Sequence, residues 1–205
     1  RFDPYSRLLY ATDASSYQIE PIGVGFPRNF DDVQYAVEVC AKHRVPLLAR
    51  GGGSSLAGQA VGHALILDFS KHLNRILEIN PEEHWAICEP GVVCDALSNA
   101  ARPHGLMVGT DPASSNRATI GGMIANNSTG AHSVLYGMTA DHLISADVIL
   151  ADGSTATLGE TSSPPGLLSA VSAIVAGNAE AIRARYPKTW RRSSGYSLNY
   201  LVPYV

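Results

Sequence analysis

Cysteine is scarce in this chain: Cys40, Cys88 and Cys94 among 205 residues. An odd number with no CxxC spacing excludes a disulfide framework and a zinc knuckle. It also falls short of the about four closely spaced thiolates that hold an iron–sulfur cluster. The three read as small core residues of a protein from a reducing, cytoplasmic compartment. Long apolar runs are missing too, and none approaches the ~20 residues of a membrane-spanning helix. Charge of one sign is not in excess: the net charge is −3, which argues against nucleic acid as a partner. The seven histidines form neither HxH nor HExxH, so no metal site is expected. GxSxG is absent, which removes a serine-hydrolase elbow. There is no internal repeat, no low-complexity tract and no signal peptide. The chain starts at Arg1 without Met, which leaves a lost targeting segment open.

What is present is a globular composition, 45% hydrophobic and 16% charged. Between Asn29 and His43, Val33, Ala36, Val37, Cys40 and Ala41 fall at helical spacing. Asn29 can cap that helix, and Asp32 sits in its first turn. Val45 to Arg50 reads as a buried strand. Leu65–Leu67, Ile76–Ile79 and Trp85–Glu89 read as further strands, the last ended by "EPGV". Trp85 alternates as a strand residue does, so packing explains it better than ligand stacking. Val93, Leu97, Ala100 and Ala101 give a second helix, closed by Gly105. "SADVIL" and "STATL" flank Asp152-Gly153 and predict a hairpin over Ile144–Leu158. After "SSPPG", Leu167, Leu168, Val171, Ile174, Val175 and Ile182 predict one long amphipathic helix that stops before Pro187. Arg191 and Arg192, beside Tyr196, read as a solvated connector rather than an anion site. The order is α+β, or α/β with antiparallel parts, in two lobes.

Two stretches carry chemistry. "RGGGSSLAGQ", Arg50 to Gln59, places four glycines and two serines at the end of a strand. Bare backbone lets N–H groups converge on an anionic oxygen, and Ser54 and Ser55 add hydroxyls. Phosphate or pyrophosphate is the matching ligand. The stretch lacks the Lys of a P-loop and the spacing of the Rossmann fingerprint. The alternative is a loose surface loop. "GTDPASSNRATIGGMIANNSTGAH", Gly109 to His132, is nearly free of charge and rich in Gly, Asn, Ser and Thr. That composition suits a flat, polar ligand lying on backbone. Two such stretches suggest one large ligand with a phosphate part and a ring part. His132 stands out because it follows the second stretch, although a structural histidine is the plainer explanation.

"RGGGSSLAGQ", "EPGV", "DPASS…TIGGMIANNSTG", "YG", "ILADG" and "SGYSL" occur in an order that resembles flavoproteins of the vanillyl-alcohol oxidase / p-cresol methylhydroxylase (PCMH-type) family. Among these the chain looks nearest to FAD-linked dehydrogenases of D-lactate, glycolate and D-2-hydroxyglutarate. The opening "RFDPYSRLLYATDASSYQIEP" resembles large members with iron–sulfur domains further on. The resemblance implies an α+β, two-lobed FAD-binding domain of mixed parallel and antiparallel sheets with flanking helices. Its N-terminal lobe would cover about 20–80 and its second lobe about 81–205.

By the same resemblance Gly51, Gly52, Gly53, Ser54 and Ser55 hold the FAD pyrophosphate, with Arg50 at the head of the loop and Gly58 and Gln59 completing it. Asp111, Pro112, Ala113, Ser114 and Ser115 lie along the flavin. Thr119, Gly121 and Gly122 press backbone against it. Asn127, Ser128 and Gly130 bind the ring or ribityl chain, and Ala131 and Val148 line the site. Covalent members often carry His in the first stretch or Cys in the second. Ser, Gly and Asn stand there, so non-covalent FAD is expected. The implied reaction is oxidation of a D-2-hydroxy acid by hydride transfer to flavin N5. Electrons would go on to an iron–sulfur domain or a quinone, with any cluster beyond this chain. Peripheral membrane association stays open. An "EGTLG"-like stretch and the substrate domain are expected after "SGYSLNYLVPYV", outside this chain, so no catalytic base is assigned. The alternatives are a same-fold reductase of a nucleotide-sugar and a non-catalytic or truncated flavin module.

Overall fold

The computed structural model describes residues 1–159, 164–189 and 195–202. They divide into two compact units, one of 1–143 with 149–154 and the other of 144–148 with 155–205. Arg191 and Arg192, the expected connector, lie outside the described residues.

The first unit is built on a parallel sheet. β1 (Gly23–Gly25), β2 (Leu47–Arg50) and β3 (Leu65–Asp68) lie in the order β1-β3-β2. β3 is central, and Ile66 and Leu67 are buried there, as expected of a strand covered on both faces. The crossover between β1 and β2 is α2 (Phe30–His43), where the Asn29 side chain accepts the Asp32 N–H at 2.8 Å. The helix ends at Arg44 in the left-handed conformation, and β2 starts only after Pro46, which has no N–H to give a ladder. α1 (Pro4–Leu9) precedes the sheet, capped by Asp3. Three residues of β1 and six of α1 are too short for a periodic pattern to reveal.

β4 (Ile76–Asn80) and β5 (Trp85–Cys88) form an antiparallel hairpin, so parallel and antiparallel sheets coexist in an α+β fold. After β5, residues 90–95 run beside 115–121. Cys94 N–H bonds Ala118 O at 2.9 Å, Ile120 N–H bonds Val92 O at 2.8 Å, and Gly121 N–H bonds Pro90 O at 2.8 Å. α3 (Cys94–Ala101) and α4 (Ile120–Asn126) flank this crossing, and Cys94, Ala118 and Met123 form its core. A Cβ on Gly91 would overlap the carbonyls of Phe69 and Leu73. α5 (Ser133–Tyr136) follows, with Val134 and Leu135 exposed.

The expected hairpin forms from β6 (Ser145–Ile149) and β7 (Thr155–Gly159). Its turn uses Gly153 at φ 84, and the Asp152 carboxylate accepts the Ser154 N–H at 2.9 Å. The single long helix predicted after it is instead two: α6 (Pro165–Gly177) and α7 (Ala179–Arg185), bent by 68°. Asn178 makes the break. Its side-chain amide donates to Ile174 O at 2.8 Å, and its carbonyl accepts the Ile182 N–H at 2.9 Å. Gly177 is a weak helix former, and Asn competes for helix carbonyls. The bend gathers Val175, Ile182 and Val202 into the core of the second unit. Among the described residues no single helix is long and apolar enough to cross a membrane, and only this bent pair meets the criterion when taken together.

Gly91→Ala should cost about 1–3 kcal/mol in urea unfolding, the range for overpacking against fixed neighbours. Gly166→Ala, in open space at the start of α6, should be neutral or stabilising by up to about 1 kcal/mol. Equal effects of the two would contradict the packing of residues 90–92.

Candidate functional site

The glycine loop leaves β2 at Arg50 and does not hang free. Its backbone lies directly against the second stretch. A Cβ on Gly51 would overlap the Thr119 hydroxyl, and one on Gly52 would overlap the Arg117 carbonyl. Further along, Gln59 Nε2 donates to Asn126 Oδ1 at 3.2 Å. Two stretches about 60 residues apart are thereby one surface, which removes the loose-loop alternative. Glycine is required at Gly51 and Gly52 by proximity and at Gly53 by conformation, φ 65.

The loop is held from behind by Arg50 and by residues of the N-terminal segment to which sequence reading gave no role. The Arg50 guanidinium donates to the carbonyls of Tyr10 at 3.3 Å, Thr12 at 2.9 Å and Ala60 at 2.9 Å. It also stacks on the Tyr10 ring, 5.1 Å from its centroid. Arg50 therefore acts as a tie between the N-terminal segment and both ends of the loop. Its charge stays beneath Gly53, where a Cβ would fall 2.7 Å from Nη2. The Tyr10 hydroxyl donates to buried Asp68, whose other oxygen accepts from the Ser70 N–H and hydroxyl. Burial first, and then the Asp68 contact, raise the Tyr10 phenol pKa above its ordinary value.

Asp13 adds a second tie. Its carboxylate accepts from the Ala60 N–H at 3.2 Å and from the N–H and hydroxyl of Ser15. Burial alone would raise its pKa. The Ser15 and Ala60 hydrogen bonds, with Arg50 nearby, outweigh that and hold it below the ordinary carboxylate value. Ala14 N–H bonds Gly53 O at 3.0 Å, and the Tyr17 ring lies under Gly58, φ 77. The "DAS" triplet, a side-chain-to-backbone turn, was the signal available in the sequence. Among the described residues, the N–H groups of Gly51, Gly52, Gly53, Ser54 and Ser55 donate to no protein acceptor. Five undonated N–H groups in a row, above a fixed guanidinium, make a fitting receptacle for a pyrophosphate.

The second stretch is more committed internally. Asp111 takes φ 42, and its carbonyl accepts the Ala131 N–H at 3.1 Å. A Cβ on Gly130 would overlap that same carbonyl, so Gly130 is there for a backbone-to-backbone crossing. Pro112 is buried, Ala113 exposed, and Ser114 and Ser115 half-buried in a turn. The Ser114 carbonyl accepts from Arg117 and Ala118, and that of Ser115 from Asp95. Thr119 is 3% exposed. Gly121 gives its N–H to Pro90 and packs on that ring, whereas Gly122 is exposed. Asn127, left-handed at φ 44, holds the Ala140 N–H at 2.9 Å through its side chain. The Ser128 carbonyl accepts the Thr139 hydroxyl at 2.8 Å. Ala131 is exposed. Val148 is a half-buried residue of β6, in the second unit.

Two hydroxyls that sequence reading missed bear on a ligand. Thr110 Oγ1 and Thr129 Oγ1 are buried without a hydrogen-bond partner. They flank the Asp111–Gly130 crossing. Orphaned buried hydroxyls call for a polar partner. His132 pairs Nδ1 with Asp111 Oδ2 at 3.3 Å and meets Tyr136 edge-on at 6.3 Å. The geometry shows a largely exposed histidine beside the Asp111 carboxylate and the Tyr136 ring. The three cysteines are free, and burial raises each thiol, Cys94 to about 11. Among the described residues no group of three or more His, Cys, Asp or Glu could hold a metal.

A family model described as an FAD binding domain matches residues 21–159. The chain is 36% identical over 210 residues to "D-2-hydroxyglutarate dehydrogenase" of Escherichia coli (strain K12), covering 95% of this chain and 21% of that protein. It is 40% identical over 156 residues to "Glycolate oxidase subunit GlcD" of Bacillus subtilis (strain 168), covering 75% of this chain and 33% of that protein. The chain thus spans about one fifth of the length of the D-2-hydroxyglutarate dehydrogenase it matches. Among solved structures, an alkyldihydroxyacetonephosphate synthase superposes with a TM-score of 0.70 at 22% identity, over 80% of this chain and 33% of that one. A xylooligosaccharide oxidase from Myceliophthora thermophila C1 superposes with a TM-score of 0.61 at 26% identity, over 75% of this chain and 33% of that one.

The Asp13 tie has a defined pH signature. A carboxyl whose folded pKa is depressed contributes stability above its unfolded pKa, near 3.8, and loses it as pH falls through the folded value. Wild type should exceed Asp13→Asn in urea midpoint by a constant margin between about pH 7 and 5 that shrinks below about pH 4. A margin unchanged into the acid range would exclude the carboxylate as its source.

Proposed function

The chain belongs to the family of FAD binding domains, and from that membership we propose that it is the flavin-holding part of a dehydrogenase acting on a 2-hydroxy acid. The observation that carries the proposal is the contact between the two glycine-rich stretches, which leaves five loop N–H groups undonated beside them. In this proposal Gly51, Gly52, Gly53, Ser54 and Ser55 bind the pyrophosphate, with the Arg50 charge fixed below. Gly58 and Gln59 close the loop. Asp111 to Ser115, Thr119, Gly121, Gly122, Asn127, Ser128, Gly130 and Ala131 present the polar surface to the flavin and its ribityl chain. Thr110 and Thr129 join them through their orphaned hydroxyls.

FAD, when bound, would supply the acceptor for a hydride equivalent from the hydroxyl-bearing carbon. The work of this chain is to bind, orient and keep water off the cofactor. Attachment is proposed to be non-covalent, because Ser, Gly and Asn stand in the two stretches where a covalent link would need His or Cys. Substrate-binding and proton-accepting residues are proposed to lie outside this chain, as is the onward acceptor, an iron–sulfur domain or a quinone. A lobe boundary near residue 80 belongs to the same proposal. Support for a 2-hydroxy acid comes from the relatives named D-2-hydroxyglutarate dehydrogenase and glycolate oxidase subunit.

The purified 205-residue chain should be yellow, or become so with added FAD, and heat denaturation should release the flavin. Gly53→Asp should abolish uptake, since its side chain would strain the φ 65 backbone and collide with the Arg50 guanidinium that ties the loop from below. Colour that stays with the denatured chain would contradict non-covalent attachment. No uptake in excess FAD would contradict the site.

A further inference from the structure

A second recess opens at the same end of the parallel sheet, away from the glycine loop. Ligands of parallel sheets bind outside the carboxyl ends of the strands. The glycine loop occupies the carboxyl end of β2. The carboxyl ends of β1 and β3 are neighbours, because β3 is central. They frame a cleft of about 670 Å³. Its floor is apolar: Val24 is fully buried there, and the Tyr10 and Phe26 rings meet edge-to-face at 5.9 Å. Its rim is cationic. Arg28 follows β1, Lys71 and His72 follow β3, and Arg1 places its guanidinium 5.7 Å from the Phe26 centroid.

The carboxylates near this cleft are engaged elsewhere. Asp68 is 3% exposed and bonded to Tyr10 and Ser70. Asp3 caps α1 at the Ser6 N–H, and Asp32 accepts the backbone N–H of Arg28 at 2.8 Å. Among the described residues, the ion pairs of Arg and Lys with carboxylates are Arg7–Glu20 and Arg75–Glu89, so Arg28 and Lys71 stand unpaired, while Arg1 lies within electrostatic reach of Asp3. Two unpaired cations, Arg28 and Lys71, beside an aromatic floor concentrate positive potential in a concave, partly apolar space. Tyr10 stands between this cleft and the loop, with the Arg50 guanidinium against its ring and Phe26 at its edge.

We propose that the cleft at the carboxyl ends of β1 and β3 binds a small organic anion, its carboxylate or phosphate head on Arg28 and Lys71 and its apolar body over Tyr10 and Phe26. This site is separate from the flavin-binding loop and does not depend on it.

The test is a ¹H–¹⁵N titration of the 205-residue chain with benzoate and with phenyl phosphate. Benzyl alcohol supplies the body without the charge, and inorganic phosphate the charge without the body. Saturable shifts at Val24, Phe26, Arg28, Lys71 and His72 are expected for both anions or for one. Whichever binds more tightly identifies the head group, and both controls should bind more weakly. Arg28→Gln with Lys71→Gln should weaken binding about tenfold or more, with circular dichroism and unfolding midpoint unchanged. Those side chains are exposed, so the double variant folds. Benzyl alcohol binding as tightly as benzoate, shifts centred on Gly51–Ser55, or a double variant that binds as wild type would each overturn the proposal. So would no saturable binding of either anion.

Discussion

Backbone lying on backbone is the constraint from which the site follows. Gly51 rests on Thr119 and Gly52 on the Arg117 carbonyl, and neither position has room for a Cβ. The same device recurs at Gly91 against Phe69 and Leu73, and at Gly130 against Asp111. Each crossing brings a strand end or loop within reach of a segment distant in sequence. Without these contacts the loop after β2 would be a mobile surface excursion. With them it shares a surface with residues 109–132, and its N–H groups point away from protein acceptors.

Holding that loop in one conformation is expensive in entropy, and the N-terminal segment offsets it. Arg50 joins Tyr10, Thr12 and Ala60, while Asp13 holds Ala60 and Ser15. Both groups are charged, and charge-assisted hydrogen bonds are stronger than neutral ones. A loop ordered in advance does not have to be ordered by its ligand, which is the general advantage of preorganisation. Arg50 was expected among the cofactor-site residues, at the head of the loop. Its three carbonyl partners give it a positioning role, with its charge still close beneath the nest.

The sequence made α2, the β-strands from β2 onward and the β6–β7 hairpin legible, because each has a clean period or a turn dipeptide. Asn29 and Gly153 were read correctly for the local chemistry that places them. The break at Asn178 was not legible. Apolar spacing continues through it and masks the local signal of Gly177-Asn178, and the fit of Val175 and Ile182 to Val202 accompanies the bend. β1 was too short to show alternation, since Gly-Val-Gly contributes one side chain. At the site, the pairing of two glycine-rich stretches could be inferred from composition. The long ties could not, because the Tyr10 hydroxyl to Asp68, the Asp13 carboxylate to the Ala60 N–H and the Arg50 guanidinium to the Tyr10 carbonyl each join residues 40 or more apart; only the local "DAS" turn at Asp13 had a sequence signature. Gly121 has a packing role that composition did not reveal: a Cβ there would meet Pro90.

The central claim is that one FAD molecule is held by both stretches at once. Hydrogen–deuterium exchange of the chain with and without saturating FAD measures this most directly. Protection should appear together in the amides of Gly51–Ser55 and in those of the 109–132 stretch, at the same FAD concentration. Protection confined to one stretch, or arising elsewhere in the chain, would contradict the account.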